Sequence, residues 1–172
     1  MFTRWFSRQG NTQLRVLMVC MGNICRSPMA EAVLRGKLDQ AGLAKLVAVD
    51  SAGTIDAHRG SPPDPRGVQR AAQRGYSMAG QKSRPLRAGD FSRFDLLLGM
   101  DHANMAVMRE RCPMQSQGSL GLLLDYAPEL AAQEVPDPYY ASAEAFDLAL
   151  DLIEPACEGL LLDIQRRIGG TS

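Results

Sequence analysis

Four short apolar runs recur along the chain, and each gives way to a stretch with helical spacing. Residues 14–20 (LRVLMVC) form the first run. It opens into a glycine-containing loop, and residues 27–42 then carry apolar positions at helical intervals, with Gly42 as the stop signal. The second run, residues 46–53 (LVAVDSAG), ends in small residues. After a proline-rich loop at 61–65, residues 66–75 have helical composition and stop at Gly75. The third run, residues 94–100 (FDLLLGM), precedes an expected helix over 101–111. The fourth, residues 119–127 (SLGLLLDYA), is followed by a long closing helix over 143–167, which Pro155 should kink or restart.

Continuous apolar runs alternating with helices are the pattern of strands buried on both faces. The expected fold is α/β: a three-layer α/β/α arrangement with a four-stranded parallel sheet and a ligand-binding loop between the first strand and the first helix. In such sheets ligands bind outside the carboxyl ends of the strands. Three of the runs deliver unusual residues there: Cys20, Ser51 and Asp101. Residues 14–172 read as a single domain. Residues 1–13 read as an N-terminal extension, polar apart from Trp5 and Phe6, either a loose flexible tail or a short strip packed on the domain. There is no internal repeat and no low-complexity tract.

At 172 residues, with 45% hydrophobic and 22% charged positions, the chain has the size and composition of one soluble domain able to bury a core without staples. Nineteen basic and nineteen acidic residues cancel. No global field draws the protein to nucleic acid or to an anionic membrane, so any anion site must be local. The basic residues are arginine except for Lys37, Lys45 and Lys82, which reads as genome composition rather than phosphate chemistry. Cys20, Cys25, Cys112 and Cys157 have irregular spacing unlike a secreted disulfide framework. The start lacks the apolar core of a secretory signal, and no run approaches the roughly 20 apolar residues of a membrane span. A cytoplasmic protein is expected.

The loop Cys20-Met21-Gly22-Asn23-Ile24-Cys25-Arg26-Ser27 carries the chemistry. It runs from a strand end to a helix N-terminus, where backbone N–H groups converge and the helix dipole adds partial positive charge. Such surroundings favour a thiolate and a phosphate together. Arg26 can present a planar fork to two phosphate oxygens, which lysine cannot. Gly22 allows the tight curve, and Asn23 tolerates a left-handed conformation. Taken alone, Cys20 could equally be a buried cysteine ending a core strand, and Arg26 a surface helix residue.

The segment VCMGNICRSPMAEA resembles the signature of the low-molecular-weight protein tyrosine phosphatases, a Cys-x5-Arg-Ser loop followed by Pro-Met-Ala-Glu. The likeness continues through Ser51 to Thr54, His58, Asp64 to Arg66, Met100 to Asn104 and Asp137 to Tyr140, and so covers nearly the whole chain from Leu14. The resemblance implies that Cys20 attacks phosphorus to form a cysteinyl phosphate while Arg26 and the amides of the loop hold the oxygens. Asp137 would protonate the leaving phenolate and then activate water. Without the family context, an aspartate before Pro138 reads as a turn residue. Asn23 and Ser51 would fix the loop, Ser27 would stabilise the thiolate, Asp101 would support the site, and Tyr139 and Tyr140 would line the mouth. Cys25 matches a second loop cysteine able to form a protective disulfide with the nucleophile. Family members often carry an aromatic residue where this chain has Ala57, so one wall of the cleft is missing or supplied from elsewhere.

The implied substrate is a phosphotyrosine-containing protein, such as a bacterial tyrosine kinase of polysaccharide export, handled by a monomer or weak dimer. No metal or organic cofactor is implied. Two alternatives share the fold: an acid phosphatase acting on small phosphomonoesters, and an arsenate reductase. The reductase needs two further cysteines on a mobile segment, and none lies between Cys25 and Cys112. A non-catalytic phosphotyrosine-binding module would lack the nucleophile or the acid. A zinc hydrolase fails on inventory, since His58 and His102 are the only histidines and neither is spaced to a cysteine pair.

Overall fold

The computed structural model describes residues 11–170. The expectation of an N-terminal extension falls largely on residues 1–10, outside the described residues. Gln13, its last residue, already donates its N–H to the carbonyl of Leu46 at 2.8 Å.

Strands β1 (Leu14–Cys20), β2 (Val47–Gly53), β3 (Leu96–Gly99) and β4 (Ser119–Leu122) form one parallel sheet in the order β2-β1-β3-β4. Their side chains alternate between two cores, as the two-residue period of a strand demands. Val16, Met18 and Cys20 of β1, with Leu96 and Leu98 of β3, face one side. There they meet helices α1 (Arg26–Gln40) and α5 (Glu144–Gly169), with α2 (Pro65–Gln73) alongside. Leu17, Val19 and Leu97 face the other side, against Phe91 and Phe94 around the short α3 (Asp90–Arg93) and Met105 and Met108 of α4 (His102–Arg111). Burial on both faces is why these strands read as unbroken apolar runs.

Three expectations need correction. The fourth run pairs only over Ser119–Leu122; Leu123–Tyr126 turn into a 3-10 helix that buries Leu123 and Leu124 against α5. Ser51 lies within β2, paired with Met18, rather than beyond its end. The closing helix does not restart at Pro155 but runs on through it. Proline removes one hydrogen bond to the carbonyl four residues earlier, and that residue, Asp151, is exposed, so water can take the place of the missing donor. Helix α3, four residues long, was not legible as an element.

Because β1 feeds α1 on one face while β3 feeds α4 on the other, the loops leaving these neighbouring strands diverge. The divergence opens a crevice at their carboxyl ends, as the general rule for such sheets requires.

Candidate active site

The chain leaves β1 at Cys20 and re-enters regular structure at Arg26, curving through a single left-handed residue, Asn23 (φ 55°). Asparagine is among the few side chains that accept this conformation. Gly22, expected to supply the curve, is not left-handed. Its value is space: a Cβ there would lie 3.1 Å from the ring of His58. The carbonyls of the loop are tied outward. Cys20 O accepts from Thr54 N–H (2.9 Å), Met21 O from Ile55 N–H (3.1 Å) and Ile24 O from Asp64 N–H (2.8 Å). Gly22 O accepts from the Ser83 hydroxyl at 3.0 Å. With carbonyls turned out, the N–H groups are left to face an anion, and Asn23 N–H lies 3.3 Å from Cys20 Sγ.

Behind Cys20 runs a buried chain of hydrogen bonds with a readable direction. The Glu31 carboxylate accepts from Ser51 Oγ (2.8 Å) and from the side-chain amide of Gln81 (2.8 Å), and it pairs with Arg35. Burial pushes the Glu31 carboxyl upward against these partners. Ser51, having donated, accepts from Asn23 Nδ2 at 2.9 Å, and the same amide donates to Ser27 Oγ at 2.8 Å. Asn23 cannot reverse, because its Oδ1 accepts the Arg84 N–H at 3.0 Å. Ser27 Oγ is thus an acceptor toward Asn23, and its own hydrogen is left for Cys20 Sγ, 3.0 Å away.

Arg26 is 2% exposed, and its hydrogen-bond and ion-pair partners are oxygens of later segments. Its Nη1 donates to Asp101 Oδ2 at 2.6 Å and to Val135 O at 3.0 Å, and Nη2 stands 3.6 Å from Asp137 Oδ2. Burial opposes its charge, but Cys20, Asp101 and Asp137 outweigh that and raise its pKa. Asp101 divides its oxygens: Oδ1 caps α4 through Asn104 N–H at 2.7 Å, and Oδ2 takes the guanidinium. Cys25 is buried against the loop, and burial, reinforced by the charges of Asp64, Cys20 and Asp137, pushes its thiol up to about 12.

These groups surround a cavity of about 100 Å³. Cys20, Arg26 and Asp137 line it with Met21, Gly22, Ile24, Cys25, Ile55, His58, Tyr139 and Tyr140. Its mouth is apolar and open: Tyr140 is 95% exposed and packs edge-on to Tyr139, with ring centroids 4.7 Å apart. Among the described residues no cluster of three or more His, Cys, Asp or Glu side chains is arranged to hold a metal, and no helix is long and apolar enough to cross a membrane.

The family model for low molecular weight phosphotyrosine protein phosphatases matches residues 15–169. The chain belongs to this family. A Streptomyces coelicolor low molecular weight protein-tyrosine-phosphatase is 40% identical over 159 residues, covering 91% of this chain and 96% of the relative. Among solved structures, a protein tyrosine phosphatase from Entamoeba histolytica superposes with a TM-score of 0.85 at 37% identity, covering 89% of this chain and 97% of the other. YfkJ from Bacillus subtilis gives 0.85 at 36% identity, covering 92% and 98%.

Within this phosphatase fold the structure brings Cys20, Arg26, Asp137, Tyr139 and Tyr140 to one cavity, as the sequence suggested. Asn23 and Ser27, expected among the substrate-binding residues, have their side chains buried behind Cys20, where the hydrogen-bond chain uses them. Ser51 and Asp101 likewise support rather than line the cavity. Ile55 and Met21 are among the apolar residues that line the cavity, and Ala57 does not line it. Sequence reasoning missed Glu31, Gln81, Arg84 and the Val135 carbonyl. Glu31 sits within the quoted signature, but nothing local marks the other three. The third and fourth cysteines stay apart from the site: Cys157 is sealed between α1 and α5, its thiol pushed up to about 12 by burial, and Cys112 ends α4.

Proposed function

We propose that this protein-tyrosine-phosphatase works with Cys20 as nucleophile, Arg26 as phosphate clamp and Asp137 as general acid and base. The convergence of these three side chains on one small cavity with an aromatic mouth is the observation that supports the assignment most strongly. Cys20 Sγ attacks phosphorus, the S–P bond forming as the P–O bond to the phenol breaks. Arg26 and the inward N–H groups take the charge of the equatorial oxygens. Asp137 gives its proton to the departing phenolate, then accepts one from the water that attacks the cysteinyl phosphate. The Cys20 thiolate leaves toward the Ser27 hydroxyl. Tyr139, Tyr140, Ile55 and Met21 suit a flat aryl group entering from solvent.

Finer readings belong to the same proposal. The substrate is a phosphotyrosine-bearing protein, a bacterial tyrosine kinase being the favoured kind, met in the cytoplasm by a monomer or weak dimer. Cys25, whose thiol burial keeps protonated, closes a disulfide with Cys20 once peroxide has converted Cys20 to a sulfenic acid, with water as the leaving product.

Hydrolysis of p-nitrophenyl phosphate in chelator, by wild type, Cys20→Ser and Asp137→Ala, is the test. The first change should abolish turnover and the second slow it by the ~10²–10⁴-fold typical of a general acid. An unimpaired Cys20→Ser enzyme overturns the reading. Preference for a small alkyl phosphate over the aryl ester would favour the acid phosphatase alternative.

A further inference from the structure

The loop that binds phosphate and the segment that carries Asp137 lie far apart in the sequence, and besides Arg26 a second side chain links them. Asp64 caps α2 and is bound to the phosphate loop, its N–H donating to Ile24 O at 2.8 Å. Its carboxylate grips Arg66 at three points: the backbone N–H (2.9 Å), Nε (3.1 Å) and Nη2 (2.9 Å). The free edge of the guanidinium then reaches across the chain. Nη2 donates to Tyr139 O and Nη1 to Ala141 O, both at 2.9 Å, while the plane rests over the Phe146 ring, 4.7 Å from its centroid. Tyr139 in turn donates its N–H to Asp137 Oδ1 at 3.1 Å.

The geometry points to Arg66 as the positioning residue of the general acid: it fixes the carbonyl of Tyr139, and the N–H on the other side of the same residue aims the Asp137 carboxyl at the leaving-group oxygen. This inference rests on the proposed role of Asp137. Upstream, the same segment is already pinned, Val135 by the Met100 carbonyl and the Arg26 guanidinium, and Glu134 by the His102 N–H. Asp137 is suspended between that anchor and the Arg66 clamp. A fork with two separated donors is needed to hold two carbonyls while remaining locked to Asp64. Lysine, a point charge, can satisfy one of them.

A residue that acts through a general acid matters most when the leaving group needs a proton. The experiment measures kcat/KM on phenyl phosphate and on 2,4-dinitrophenyl phosphate, whose phenolate departs unprotonated. Arg66→Ala should lower the first by about 10- to 100-fold, the scale of a displaced catalytic group, and change the second by less than about threefold. Arg66→Lys, which keeps charge and stem, should fall between. Inhibition by inorganic phosphate should stay within about twofold in both, because the clamp touches the acid segment and not the anion. In an Asp137→Ala background, Arg66→Ala should cost nothing further. Equal losses on the two substrates, weakened phosphate inhibition in Arg66→Lys, or an undiminished loss in the Asp137→Ala background would assign Arg66 to general structure and overturn the proposal. An Asp137→Ala enzyme at full speed on phenyl phosphate sinks the acid assignment itself and this inference with it.

Discussion

At the scale of single residues, the direction of hydrogen bonds carries as much as their presence. Because Glu31 accepts from Ser51 and Asn23 donates twice, the Ser27 hydroxyl has its hydrogen free for Cys20 Sγ. That donor matters most when sulfur leaves phosphorus and regains full charge. Ser27→Ala should therefore slow breakdown of the cysteinyl phosphate, lowering kcat by about 10²-fold if it behaves like an oxyanion donor, with formation of the intermediate less affected. Rapid-mixing measurement of the phenol burst separates the two steps; a lost burst with an unchanged steady state would contradict this role. Cys20, Arg26 and Asn23 were legible because their residue types are rare solutions to a local need, a nucleophile, a fork and a left-handed turn. Glu31, Gln81 and Arg84 were not, since each acts across at least 20 residues in sequence and through a partner that only the folded sheet brings near.

At the scale of elements, strand and helix order followed the apolar runs because both faces of the sheet are covered. The failures arose where packing overrode local preference. Residues 123–126 were apolar enough to extend β4 but turn away to seal α5. Within α5, Gly159 reads as a weak point, since alanine is a better helix former by about 1 kcal/mol. The structure gives the opposite sign: a Cβ at 159 would sit 1.9 Å from the Tyr126 carbonyl oxygen, a backbone atom that cannot step aside. Gly159→Ala should destabilise the protein by about 1–3 kcal/mol or more, as overpacking does, and chemical denaturation would show it as a lower midpoint. A stabilised variant would mean that α5 and the turn are free to separate. Pro155 makes the same point in reverse, its lost hydrogen bond being tolerated beside an exposed residue.

At the scale of the whole molecule, a chain of zero formal charge nonetheless builds an anion site, and topology explains how. The divergence of α1 and α4 from neighbouring strands leaves the N–H groups of one loop and the carboxylate-bearing ends of two others around one crevice. Asp101 and Asp137 flank Arg26 there, so in the proposed mechanism the attraction for phosphate comes from the guanidinium fork and the aimed amides rather than from net charge. Inorganic phosphate at a hundred times its Kd should stabilise the fold by about 2.7 kcal/mol, a rise in Tm of about 5–10 °C for a domain of this size. Cys20→Ser should keep that rise, since the amides and Arg26 remain. Arg26→Lys should lose most of it at the same phosphate concentration, because a lysine retains the charge but not the two-pronged geometry. Thermal unfolding followed across a phosphate titration distinguishes the two. If Arg26→Lys shifts as far as the wild type, the anion is held by charge alone, and the buried pairing of Arg26 with Asp101 and Val135 serves the fold rather than the ligand.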